Sequence, residues 1–284
     1  MSSVVKQGRL SNNTYALIGA GNMGGALLSG WLAERGSKAL KAQEILVIDP
    51  APGQAAERAL KLGVKFSATL TRGSASGLKM CLLAIKPQSF AQIGPSLADA
   101  LPKDTLVVSI MAGINLHGLT EVFGERPIIR AMPNLPAAYR AGITGYVCGA
   151  GVTSAHRDIA EARLRAGGKV VRVDSEREID MVTAISGSGP GYVFYLTEIL
   201  AAAGENLGLS PELAGELARQ TVIGSGTVLA RSTDSASDLR KSVTSPGGTT
   251  EAAMDVLMAR DGLPKLMGDA VKAAYKKSQD LGKP

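Results

Sequence analysis

The sequence predicts an α/β chain: a mostly parallel sheet with helices on both faces over residues 1–174, followed by an all-helical part over residues 175–284. Three observations carry this. Short apolar runs alternate with helical stretches through the first part, which is the signature of βαβ units. Strand signals stop after Val173. Beyond that point apolar residues recur only at helical spacing. A chain of 284 residues that is 45% hydrophobic, 20% charged and 4% aromatic has a globular composition, not that of a disordered or aromatic-rich nucleic-acid-binding protein. Length alone allows one large domain or two modest ones, and the change of pattern near Asp174 favours two.

In order along the chain, Tyr15-Ala-Leu-Ile-Gly19 is a first apolar strand, and residues 23–35 follow as a helix. Strands are expected at 45–49, 64–66, 80–85, 106–110, 128–131 and 146–148, each a short apolar run rich in branched residues. Helical spacing joins them at 54–62, 88–101, 116–123 and 154–166. Gly167-Gly168 ends the last of these, and residues 169–173 add a final strand. Helices are then expected at 176–185, 190–207, 211–230, 236–243, 246–258 and 264–281. Ser210-Pro211 and Ser245-Pro246 both read as helix starts, a capping serine followed by proline at the first helical position. Residues 192–207 are apolar on several faces. A helix of that kind must be covered on all sides, by a second subunit or by its own N-terminal domain.

Near the N-terminus the first strand breaks into Gly19-Ala20-Gly21-Asn22-Met23-Gly24 and resumes as a helix. A Gly-x-Gly-x-x-Gly in that context is a dinucleotide site, and it makes the N-terminal part Rossmann-like. The first glycine permits the tight turn, the second lets a pyrophosphate approach the backbone, and the third brings helix and strand together. The phosphates sit on unpaired amides at the positive end of the helix.

Asp49 ends the second strand, where a carboxylate hydrogen-bonds the adenosine ribose and disfavours a 2′-phosphate. It falls later than the usual spacing of about 20 residues because residues 36–43 lengthen the connection. An acid opening the turn Asp49-Pro50 is an equal reading. Ala84-Ile85-Lys86-Pro87 and Ile110-Met111-Ala112 follow the fourth and fifth strands, at the carboxyl ends where ligands bind in such sheets. Lys86 is placed to reach a cofactor phosphate there, or is a solvated residue before a proline. Arg130-Ala-Met-Pro-Asn134 is a rigid loop whose amide either orients a ligand or is structural. Ser186-Gly-Ser-Gly-Pro190 reads as an interruption between two helices, exposing amides or serving as a hinge.

Val243-Thr-Ser245-Pro-Gly247-Gly248-Thr249-Thr250 is the most unusual segment of the second part. With Ser245 as cap, Pro246 first in the helix and Gly247-Gly248 bare, the helix start is open to a carboxylate, and two hydroxyls stand by for a polar atom. The alternative is an ordinary cap, although glycine is costly in a helix.

Neither histidine, His117 or His156, has metal-ligand company, so no metal is expected. Cys81 and Cys148 lie in apolar strands as buried thiols of a reduced compartment. The net charge of +6 is scattered, which fits anionic small ligands better than nucleic acid. No segment is long and apolar enough to span a membrane, and polar residues 1–13 lack the apolar core of a signal peptide, so a cytoplasmic protein is expected. No histidine–carboxylate pair or conspicuous buried lysine offers strong general-base chemistry. Hydride transfer to an already electrophilic acceptor, such as a protonated imine, requires none.

Taken together, the segments at 19–24, 84–87, 130–134, 186–190 and 243–250 resemble those of the pyrroline-5-carboxylate reductase family, in its order and over nearly the whole chain. The resemblance implies reduction of the C=N bond of 1-pyrroline-5-carboxylate to L-proline with NADPH or NADH, the last step of proline biosynthesis. It implies an all-helical C-terminal domain that dimerises, with the homodimer often assembled into a decamer, and active sites at the dimer interface. It places the cofactor on Gly19, Ala20, Gly21, Asn22, Met23, Gly24, Ala84, Ile85, Lys86, Pro87, Ile110, Met111 and Ala112. It places the substrate on Val243, Ser245, Gly247, Gly248, Thr249 and Thr250, with the Thr250 hydroxyl on the ring nitrogen as the catalytic group, and it brings Glu176 to the substrate. Leu135 and Gly191 stand where the family usually has threonine and alanine. Asp49 departs further, since many members carry small or basic residues there that suit NADPH, whereas an acid argues for NADH. Two other functions fit parts of the pattern. One is a related imine or β-hydroxy-acid dehydrogenase, which in the latter case needs a lysine near residues 186–192. The other is a non-catalytic NAD(P)-binding sensor.

Overall fold

The computed structural model describes residues 14–36, 39–51 and 53–282. The polar segment 1–13 and part of the connection 36–43 lie outside the described residues. In chain order the strands are β1 (Thr14–Ile18), β2 (Ile45–Ile48), β3 (Lys65–Ser67), β4 (Leu78–Leu83), β5 (Leu106–Ser109), β6 (Ile128–Met132), β7 (Gly142–Cys148) and β8 (Gly168–Arg172). They form one sheet in the order β3-β2-β1-β4-β5-β6-β7-β8. All neighbours are parallel except β6 and β7. That pair is joined by a single 3₁₀ turn, Leu135–Tyr139, with Arg140 in the left-handed region at φ 58°. So short a connection reverses the chain, because a parallel return needs a dozen or more residues.

The helices of this part are α1 (Asn22–Ala33), α2 (Gln54–Lys61), α3 (Arg72–Ala75), α4 (Pro87–Ala100), α5 (Leu116–Phe123), α6 (Ser154–Leu164) and α7 (Glu176–Val182). Alternate strand residues face opposite layers. Leu17, Met80, Leu82, Leu106 and Val108 pack with Leu27, Leu28 and Trp31 of α1 and with Ala160 and Leu164 of α6. Ala16, Ile18, Cys81, Leu83 and Val107 pack on the other face with Phe90 and Leu97 of α4 and Leu119 and Phe123 of α5. Covered on both faces, the central strands read as continuous apolar runs. Trp31 is fully buried and donates from Nε1 to the Arg163 carbonyl at 2.8 Å, tying α1 to the end of α6.

The remaining helices are α8 (Gly189–Asn206), α9 (Pro211–Arg231), α10 (Ala236–Ser242), α11 (Thr249–Leu257) and α12 (Leu263–Leu281). Two compact units result. The first comprises residues 1–187 with 275–284, and the second residues 188–274. Strands end at Arg172, as the sequence indicates, yet α7 stays with the first unit because its Ile179 is fully buried beside Met132 and Val147. In the second unit α8 and α9 pack where Gly204 lies against Ala214. α8 has no buried residue within one chain.

Two expected helix boundaries are corrected. The expected interruption at 186–190 narrows to a bend at Ser188: a π turn, Thr183–Gly187, prolongs α7, with the Thr183 and Ser186 hydroxyls donating to Ile179 and Val182 carbonyls, and α8 begins at Gly189. Ser245 does not cap a helix starting at Pro246. Gly247 has φ +71°, outside helical space, and Gly248 N donates to Ser245 O at 3.0 Å. Proline second and a positive-φ glycine third make a type II turn, and α11 begins only at Thr249 with Gly248 as its cap.

Candidate active site

Strands β1, β4 and β5 end level with one another: Ala84 N donates to Ile18 O at 2.8 Å and Ile110 N to Leu83 O at 3.1 Å. Residues 19–24, 84–87 and 110–112 therefore lie along one sheet edge, at the carboxyl ends where the strand order switches between β1 and β4. Ligands bind at such points in open α/β sheets. Ile110 and Met111 turn their side chains into the two core clusters, leaving exposed Ala112 at the edge. Lys86 is exposed at the start of α4, with Pro87 in its first turn.

The glycine turn has the shape a dinucleotide requires. Gly19 has φ +87°, and a Cβ there would stand 2.8 Å from Ala84 O. A Cβ on Gly24 would collide with Gly19 O, so α1 rests directly on the turn. A Cβ on Gly21 would meet nothing within 4 Å. Gly21 is also the N-cap of α1, and no side chain caps that helix. An open helix start with a bare backbone fits a pyrophosphate. Asp49 closes one side: its Oδ2 accepts from Ala20 N at 2.7 Å and its Oδ1 from Ala51 N at 2.9 Å. The carboxylate thus opens the turn after β2, as one reading of the sequence has it, and also holds the glycine loop.

In the second unit, Thr249 and Thr250 form the first turn of α11, whose cap Gly248 offers no side chain. Val243, Ser245 and Gly247 are exposed, and Thr250 is half-buried. The Gly247 amide, expected to be open, is taken by Glu251 Oε2 at 2.7 Å. Sequence reasoning missed Glu251, although an acid three residues after a helix cap is a known reach-back signal.

Glu176 has a partner network of its own. Its Oε1 accepts from Arg130 Nη1 and from Leu116 N, each at 2.8 Å. Arg130, only 3% exposed in mid β6, also faces Asp180 at 3.7 Å, and Asp180 accepts from Ser278 Oγ at 2.8 Å. β6, α5, α7 and the end of α12 are thereby joined through one buried cation. The signal was two acids four residues apart on one helix face. Asn134 is structural as well: its Oδ1 accepts from Ile143 N at 2.9 Å, pinning the turn to β7. Burial pushes the Cys81 thiol up to about 12. Cys148 is only half-buried, and its thiol is raised mainly by desolvation, so neither cysteine is an activated nucleophile.

A family model described as pyrroline-5-carboxylate reductase dimerisation matches residues 176–281, and one described as NADP oxidoreductase coenzyme F420-dependent matches residues 14–113. The chain is 38% identical over 276 residues to a pyrroline-5-carboxylate reductase of Pseudomonas aeruginosa, covering 96% of this chain and 98% of that one. The chain belongs to the pyrroline-5-carboxylate reductase family. Two solved members share its fold. One is a pyrroline-5-carboxylate reductase from Coxiella burnetii, at 33% identity and a TM-score of 0.87 over 96% of this chain and all of that one. The other is a pyrroline carboxylate reductase of Plasmodium falciparum solved with NADP bound, at 26% identity and a TM-score of 0.77 over 96% of this chain and all of that one.

Proposed function

We propose that this chain reduces the C=N bond of 1-pyrroline-5-carboxylate to give L-proline, with NAD(P)H as cofactor, as the final step of proline biosynthesis. The observation that carries the reading is the segment 243–250, in which a type II turn and a side-chain-free cap deliver two threonines to the start of a helix. A helix start of that kind suits a small carboxylate. Family membership supplies the reaction.

Gly19 to Gly24 hold the pyrophosphate on the amides that begin α1. Asp49, residues 84–87 and residues 110–112 border the rest of the cofactor. Bound NAD(P)H supplies the hydride. Amides at the start of α11 hold the substrate carboxylate, with Val243, Ser245, Gly247 and Gly248 shaping the approach. The Thr250 hydroxyl hydrogen-bonds the ring nitrogen, which must carry a proton while the ring carbon becomes electrophilic and ends as a secondary amine. Thr249 orients the same ligand. No strong base is required, because the imine nitrogen takes its proton before or during reduction. Glu176, which the resemblance brings to the substrate, is itself held by Arg130 and the Leu116 amide.

The helical part dimerises. We extend this to homodimers that assemble further, up to a decamer, in the cytoplasm. The test of the activity is direct. Purified protein consumes NADH or NADPH only when pyrroline-5-carboxylate is added, and L-proline accumulates in equal amount. Absence of turnover with both nucleotides overturns the proposal.

A further inference from the structure

The end of β2 is where an α/β dinucleotide fold meets the adenosine ribose. Here that place is occupied by a carboxylate that cannot turn away. Asp49 is half-buried, and its two oxygens are held by different backbone amides, Ala20 on the glycine turn and Ala51 after the strand. Each oxygen keeps a lone pair, so the carboxylate can still accept from ribose hydroxyls. A 2′-phosphate in the same place would bring nearly two further negative charges against a fixed one.

Nothing in the following segment offsets that charge. Residues 50–57 contain no lysine or arginine, and their one charged member, Glu57, is a second acid in the first turn of α2. The start of α2 lacks a side-chain cap, but Glu57 opposes its positive end. The first cation beyond it, Arg58, donates from Nε to the Gln54 carbonyl of its own helix at 3.3 Å. On the β3 side, Ser67 and Thr69 are bonded to each other, and Arg72 donates from Nε to Asp99 O at 3.0 Å. The segment after β2 thus supplies no cation before Arg58, and the Nε groups of Arg58 and Arg72 are both engaged by backbone carbonyls.

We infer that Asp49 is a specificity-determining residue that selects NADH over NADPH in this chain. The inference rests on the nicotinamide-nucleotide reading of the first unit and is independent of which imine is reduced. Like-charge juxtaposition in a binding site costs enough to separate the two nucleotides by at least about tenfold in Kd.

The test uses the whole chain and titration calorimetry with NADH and NADPH, in parallel with kcat/KM for both. The wild type binds NADH more tightly. Asp49→Asn, which keeps an oxygen for one of the backbone amides, and Asp49→Ser both raise NADPH affinity and lower the NADH:NADPH ratio by about tenfold or more. Equal or tighter NADPH binding by the wild type overturns the inference. So does an unchanged ratio in a folded Asp49→Asn protein. Selective NADH binding without pyrroline-5-carboxylate turnover would sustain the inference while removing the proposed reaction. Turnover that prefers NADPH would do the reverse.

Discussion

Thr250 is the residue on which the proposed chemistry turns. It lies in the first turn of α11, half-buried, in a helix whose cap carries no side chain. Thr250→Val keeps the branched shape and removes only the hydroxyl. The expected result is a fall in kcat of about 10²-fold, the lower range for loss of a positioned proton-handling group, with Kd for the nucleotide unchanged. Equal losses in both quantities would contradict the role. Glu176, which the resemblance brings to the substrate, has its Oε1 engaged by Arg130 and the Leu116 amide. A buried guanidinium needs such a partner, because removing one member of a buried pair leaves an uncompensated charge.

At the level of elements, the start of α11 is tuned by Glu251. Its carboxylate bonds the Gly247 amide and stabilises the turn, while adding negative charge where a substrate carboxylate is to bind. Glu251→Gln retains an acceptor for Gly247 and removes the charge. We expect KM for pyrroline-5-carboxylate to fall about threefold with kcat little changed. A rise in KM in steady-state assays would show instead that the turn depends on the charged form. The junction of β7 and α6 depends on another carboxylate. Glu161 accepts from the buried Tyr146 hydroxyl at 2.7 Å and from Arg165 at 2.7 Å. The Tyr146 hydrogen bond, then that of Arg165, holds the carboxyl below its ordinary value of 4.5. A depressed folded-state value adds stability that is present above the unfolded value and is lost as pH falls through the folded one. Tyr146→Phe should therefore shrink the loss of stability as pH falls below the ordinary value of 4.5, measured by urea unfolding from neutral pH into that acid range. An acid slope identical to that of the wild type would remove the Tyr146–Glu161 bond from the account.

For the whole molecule, the second unit is not a finished surface in one chain. α8 presents Phe194 at 59% and Tyr195 at 62% exposure, with Val193, Leu196, Ile199 and Leu200 also exposed. An apolar area of that kind marks an association surface. Covering by a second subunit, one of two options in the sequence, is supported by the match of residues 176–281 to the family's dimerisation model. Phe194→Glu is expected to shift the protein towards monomer in analytical ultracentrifugation and to make its Tm fall on dilution more steeply than that of the wild type. A dimer of undiminished affinity would place the interface elsewhere.

Much of this was legible in the chain itself. Continuous apolar runs such as Leu78–Leu83 identified central strands because both sheet faces are covered. The glycine turn at 19–24 was readable because its spacing reflects close approaches that only glycine allows. The sequence also determined the family through segments spread from residue 19 to residue 250. Tertiary structure decided what local rules could not. Ser245-Pro246 carries every sign of a helix start, yet the positive φ of Gly247 delays α11 to Thr249. The Ser186–Pro190 segment marked a break, but the π turn at Thr183–Gly187 that precedes it follows no helical spacing a sequence displays. That Asp49 also holds the glycine loop depended on β1 and β2 pairing in register, which brings Ala20 N to its carboxylate. Propensity and periodicity report on neighbours in sequence, whereas the partners of a buried charge such as Arg130 are set by residues that meet only when the sheet has formed.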